Sequence, residues 1–212
     1  MKITDTIYQV DDVLGGPALL LADDYLTLVD AGVPHSEDKI FAQVGSLGRK
    51  PADIKHILIT HADGDHIGSL PALVAATGAT VYAQRDEAEV IQGARKSRSG
   101  QMVATPVEVQ QIVRDGDVLP IHGGIQVVET FGHTPGHISY YLLQSKLLLA
   151  GDCLLNRDGL AGSYPQYTSN MEQANVTVKK LAELAPESLV FGHGAPIMGG
   201  ASEKLKQLAD SI

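Results

Sequence analysis

The sequence predicts an α+β domain of stacked β-sheets flanked by helices. Three observations carry that expectation. Short apolar segments of strand length alternate with helical stretches, Gly or Asp turns separate them, and the second half of the chain repeats the style of the first. No low-complexity tract or long linker parts the halves, so residues 1–212 are read as one domain.

In order, Ile3–Val10, Ala18–Leu21 and Tyr25–Val29 read as strands joined by tight turns, the second carrying Ala22-Asp23-Asp24. Ser36 suits a helix N-cap, with Lys39 to Leu47 helical and Gly48 the stop. Ile54–Ile59 is β-branched and apolar, as a buried strand requires. Ser69–Thr77 follows as a helix, with Pro71 tolerated in its first turn and Gly78 ending it. Thr80–Ala83 is a strand, and Asp86 is placed to cap a short helix ending near Gly93. Gly93–Val107 has no regular period and reads as a loop or small insertion.

In the second half, Ile125–Thr130, Ile138–Leu143 and Lys146–Leu149 read as strands. Met171–Leu184 places Ala174, Val178, Leu181 and Ala185 near helical spacing. Leu189–Phe191 is a short strand and Ser202–Ile212 a closing helix.

A chain of 212 residues, 44% of them hydrophobic, can form a full core, burying about 70% of the surface its unfolded form exposes. Cys153 is alone, so a disulfide scaffold is excluded. The N-terminus lacks the apolar core of an export signal, and no apolar run is long enough to span a membrane, so a cytoplasmic location is expected. A formal charge of −9 disfavours nucleic acid as a partner and leaves a small molecule. The unusual count is eight His beside no Trp and three Phe.

Those histidines collect at strand ends. His61-Ala62-Asp63-Gly64-Asp65-His66 follows the buried strand, mixing imidazoles and carboxylates around a glycine. Gly132-His133-Thr134-Pro135-Gly136-His137, Gly151-Asp152 and Gly192-His193-Gly194 each follow another strand. Four strand ends that each offer His or Asp beside Gly point to one shared site, and these side chains suit divalent metals.

The ordered series HxDxDH, GHTPGH, GD and GHG resembles the metallo-β-lactamase superfamily. Leu28-Val29-Asp30-Ala31-Gly32 and Arg114-Asp115-Gly116-Asp117 resemble its early LVDxG and DGD segments, so the likeness runs from about Ile7 to Pro196. The resemblance implies a four-layer αββα sandwich binding two divalent metal ions, with zinc the first expectation. His61, Asp63 and His133 would hold the first metal, and Asp65, His66 and His193 the second. Asp152 would bridge both, and Asp30 would prop the HxDxDH turn. Asp63 stands where most hydrolytic members have His, which adds charge and an oxygen ligand and brings iron or manganese into range.

Two such cations, about 3.5–4 Å apart, acidify a shared water and polarise a carbonyl or phosphoryl oxygen. The reaction implied is hydrolysis of an ester, lactone, thioester, amide or phosphoester, with Asp65 moving the proton to the leaving group. Asp63 keeps two alternatives open: an iron-dependent oxidoreductase of the persulfide dioxygenase type, and a non-catalytic metal-binding relative. Leu155 occupies the position where the lactone-hydrolysing branch has Tyr, against acyl-homoserine lactonase activity. Members often dimerise, but no decisive hydrophobic stripe argues for a homodimer here.

Of the remaining histidines, His137 is either a packed, hydrogen-bonded residue or one that touches the ligands or substrate. His56 reads as structural, and His35 and His122 as solvent-facing. Cys153 reads as a small buried hydrophobe, since alternation turns it away from Asp152. Substrate choice is expected in loops 14–17, 93–106 and 156–170, the last carrying Tyr164 and Tyr167. Arg95, Lys96 and Arg98 form a basic cluster read as a solvated loop.

Overall fold

The computed structural model describes residues 1–22 and 24–212, so Asp23 of the expected Ala22-Asp23-Asp24 turn lies outside the described residues. These residues form two compact units, Met1–Val113 and Arg114–Ile212.

In the first unit, β1 (Ile7–Gln9), β2 (Ala18–Leu21), β3 (Leu26–Val29), β4 (Ile54–Leu58), β5 (Thr80–Gln84) and β6 (Gln111–Val113) lie side by side in sequence order. The first three are antiparallel, β1 and β2 joined by the longer loop 10–17. From β3 onward the pairings are parallel, and longer crossings connect them. Those crossings carry α1 (Glu37–Ser46), α2 (Gly64–Ile67), α3 (Leu70–Thr77) and α4 (Arg85–Ile91). Leu28, Ile57 and Val81 alternate onto one face, where they pack with Ile40 and Val44 of α1, Leu73 of α3 and Ile91 of α4.

The second unit holds β7 (Val118–Leu119), β8 (Ile125–Glu129), β9 (Ile138–Leu142), β10 (Leu147–Leu149), β11 (Leu154–Asn156), β12 (Leu160–Gly162), β13 (Ser188–Val190) and β14 (Ile197–Met198). The sheet order is β14-β13-β10-β9-β8-β7, with β11 and β12 a separate hairpin. Only the β10–β13 pairing in that sheet is parallel, and α5 (Met171–Leu184) makes the crossing. Val178 and Leu181 of α5 pack with Leu148, Leu189 and Phe191, joined by Leu205 of α6 (Ala201–Asp210).

The expected elements are present with shifted ends. The first strand is shorter than Ile3–Val10, because the Ile3 and Thr4 N–H groups both turn back onto the Ile7 carbonyl. Asp86 does not cap α4; Gln84 does, its side-chain oxygen accepting the Asp86 N–H at 2.5 Å. Ser36 sits at the N-cap position of α1 without a side-chain cap bond. Strands β6, β7, β11, β12 and β14, each of two or three residues, were not expected. Among the described residues, no helix is long and apolar enough to cross a membrane.

Candidate metal centre

The residues expected at the site lie beyond strand C-termini, where backbone leaves the sheet and side chains are released from pairing. In the first unit, Asp30 directly follows β3, and Thr60 and His61 follow β4. The Asp30 N–H still donates to the Leu58 carbonyl at 2.9 Å, which brings the two strand ends together.

Asp30 is 3% exposed and organises this turn. Its Oδ1 accepts the Thr60 N–H at 2.8 Å, and its Oδ2 accepts the Thr60 hydroxyl at 2.8 Å. Oδ2 also meets His66 Nδ1 at 2.8 Å. A carboxylate only accepts, so Nδ1 of His66 carries a proton, and in the neutral ring Nε2 then holds the lone pair. Thr60 has already spent its single hydroxyl proton on Asp30. It must therefore accept from His61 Nδ1 at 3.0 Å, which leaves the His61 lone pair on Nε2 as well. One buried carboxylate sets two histidine tautomers.

Both Nε2 atoms then face carboxylate oxygens. His61 Nε2 lies 3.7 Å from Asp63 Oδ2, and His66 Nε2 lies 4.0 Å from Asp65 Oδ2. Lone pair facing lone pair at such distances is repulsive for the bare groups and suits a cation between them. The turn is further held by the Ala62 N–H donating to Glu87 Oε2 at 2.8 Å, and by the Ala31 N–H donating to the His66 carbonyl at 2.7 Å. Loop 14–17 closes against it: Gly15 has φ +83°, and a Cβ there would stand 2.0 Å from the Asp65 carbonyl oxygen.

In the second unit, His133 follows β8, Asp152 follows β10 and His193 follows β13. Asp152 Oδ2 lies 3.8 Å from His133 Nε2 and 3.3 Å from His193 Nε2, so a single carboxylate oxygen stands against two imidazoles. The donor set of imidazole and carboxylate suits a divalent ion in both units.

Asp152 is gripped through its backbone. Its N–H donates to His137 Nε2 at 3.0 Å, and its carbonyl accepts the Ser163 hydroxyl. The same proton accounting applies here. The Ser139 hydroxyl donates to the Ala150 carbonyl at 3.0 Å, so Thr130 Oγ1 donates to Ser139 at 3.0 Å. Thr130 accepts in turn from His137 Nδ1 at 2.7 Å. That tautomer leaves His137 Nε2 able to accept from Asp152, and fixes His137 as a fully buried positioning residue.

Cys153 is buried as expected, and burial pushes its thiol up to about 12, so it is no nucleophile. His56 is half-buried between the rings of Tyr25 and Tyr82, and burial holds its pKa below the ordinary imidazole value. His35 is exposed, whereas His122 is partly buried. The basic loop is exposed at Arg95, Lys96 and Arg98, as expected, but two of its cations are paired. Arg95 pairs with Asp86 at 2.8 Å, and Arg98 turns in to Asp63, its Nε donating to Oδ2 at 2.7 Å. Glu87 and Ser163 had no sequence signal, since their contacts to the Ala62 N–H and the Asp152 carbonyl arise from α4 and the residue after the β11–β12 hairpin folding back onto those turns.

A cavity of about 410 Å³ opens beside the first-unit turn. It is lined by Asp63 and Gly64, by the apolar Ile67 and Leu70, and by Met102 and Val103 of the irregular loop.

The model of the metallo-beta-lactamase superfamily matches residues 11–193. The Bacillus subtilis (strain 168) protein YobT is 33% identical over 98% of this chain and 97% of its own. The probable metallo-hydrolase YflN of the same organism is 30% identical over 81% of this chain and 76% of its own. Among solved structures, BJP-1, a subclass B3 metallo-beta-lactamase of Bradyrhizobium japonicum, superimposes with TM-score 0.78 over 100% of this chain and 90% of its own, at 23% identity. The α+β fold expected from the sequence is also that of BJP-1, and the family match over residues 11–193 shows that the chain belongs to the metallo-β-lactamase superfamily.

Proposed function

We propose that the protein is a metal-dependent hydrolase of a small ester, thioester, lactone, amide or phosphoester. In this reading His61, Asp63 and His133 hold one divalent cation, zinc by preference, and Asp65, His66 and His193 hold a second, with Asp152 shared. The observation that carries the reading is the tautomer control by Asp30, which aims the Nε2 lone pairs of His61 and His66 at carboxylate oxygens.

Bound divalent cations supply Lewis acidity toward the substrate oxygen and a water acidic enough to attack at neutral pH. The chain does the rest. Asp152 keeps its oxygen between two imidazoles because His137 and Ser163 fix its backbone. The Asp65 side chain is 26% exposed, so it can exchange a proton with an arriving leaving group as well as face His66. The cavity beside Asp63 takes the apolar portion of the substrate, and its volume falls in the range of small-molecule sites.

The test is metal content by elemental mass spectrometry, followed by hydrolysis assays on chromogenic esters, thioesters, lactones and phosphodiesters before and after chelation. Hydrolysis that is lost with chelator and restored by zinc supports the reading. One iron per chain, with oxygen consumed and no hydrolysis, replaces it with the persulfide dioxygenase type of chemistry.

A further inference from the structure

The carboxylate of Asp63 already has a cation. Arg98 donates to Asp63 Oδ2 from Nε at 2.7 Å and from Nη2 as well, so both guanidinium contacts fall on one oxygen. The Arg98 side chain is 24% exposed and that of Asp63 11%, so the contact between them is partly buried. Charge-assisted contacts of this kind are the strong ones, and a guanidinium cannot be neutralised near neutral pH. Oδ2 is also the oxygen that faces His61 Nε2 at 3.7 Å.

We propose that Arg98 is a built-in competitor for the first metal position: the guanidinium occupies the Asp63 oxygen that an ion held by His61 would need. The inference rests on the hydrolase reading above and deepens it. A divalent ion entering beside His61 meets a fixed positive charge on the same oxygen, and must share Oδ2 against repulsion or displace the arginine. The Asp65–His66 position meets no such rival in Arg98. The two positions therefore differ in affinity, and the protein carries one tight ion and one weak one.

The arginine has somewhere to go. It sits in the irregular segment 93–107, whose Ser97, Ser99 and Met102 line the cavity with Asp63. Releasing Oδ2 breaks the Arg98 tie between that segment and the His61–His66 turn. Entry of the weak ion and loosening of the cavity wall are then one event.

The experiment is a zinc titration by chelator competition on the full chain, with stoichiometry by elemental mass spectrometry, comparing the wild type with Arg98→Met and Arg98→Lys. The wild type should show two steps, and Arg98→Met should tighten the weaker step by about tenfold or more while leaving the stronger one in place. Arg98→Lys, which keeps the charge and loses the fork, should fall between them. Circular dichroism confirms that each variant is folded. A weaker step that is unchanged or loosened in Arg98→Met overturns the proposal, because the arginine then supports the ligand instead of competing for it. Two equal steps in the wild type overturn it too, with the hydrolase reading intact. No zinc on any of the three proteins overturns the metal centre, and this proposal with it.

Discussion

Asp30 Oδ2 accepts His66 Nδ1 and the Thr60 hydroxyl, both at 2.8 Å, and through Thr60 it also governs His61. Asp30→Asn keeps the size but brings an amide that can donate, so neither imidazole is held to one tautomer. Zinc affinity should fall by about 10–100-fold with the fold retained, measured by chelator competition. Unchanged affinity would show that the tautomers are set elsewhere.

His137 accepts the Asp152 N–H at 3.0 Å inside a fully buried chain of hydroxyls. His137→Phe removes both ring nitrogens, leaving the buried Asp152 N–H without its acceptor and Thr130 Oγ1 without its donor, a loss of about 1–3 kcal/mol per orphaned group. The variant should unfold at lower denaturant even in chelator, and should bind less zinc per folded chain. A positioning residue moves both readouts, whereas a merely packed one moves only the first.

Gly132 has φ +131°, and a Cβ there would stand 2.5 Å from the Ala174 backbone nitrogen in α5. Gly132→Ala must push the helix away or twist the loop that carries His133. A destabilisation of about 2 kcal/mol or more is expected in urea unfolding. A loss below half a unit would mean that α5 gives way freely.

Burial depresses the His56 pKa in the folded protein below its unfolded value. Between those two values the unfolded chain binds the extra proton, so stability rises with pH there. The contribution is complete above the unfolded value of 6.5 and declines as pH falls toward the folded value. The stability gap between wild type and His56→Phe should accordingly narrow from pH 8 to pH 5.5, by urea unfolding at each pH. A gap that widens on acidification would reverse the sign.

Cys153 is 2% exposed, and burial pushes its thiol up to about 12. An aromatic disulfide reagent should leave it unlabelled in the native protein and label it on unfolding. Rapid native labelling would mean that the β10 end opens far more often than its packing implies.

The sequence by itself determined the fold class and placed the His- and Asp-bearing turns at strand ends. Apolar runs such as Ile54–Ile59 impose period and burial over five or more residues, and glycine beside His or Asp at their ends is local information. It also carried the role of Asp30, through the LVDxG resemblance, and the burial of Cys153. The very short strands were illegible, because two or three residues such as Ile197–Met198 hold no period and pair only when a neighbour presents an edge. The partners of the site were illegible for the same reason of distance. Only folding brings Arg98 to Asp63, Glu87 to the Ala62 N–H and Ser163 to the Asp152 carbonyl. A salt bridge or hydrogen bond needs its two atoms within about 3 Å, and where separate turns meet in space is decided by packing, which no local pattern of residues records.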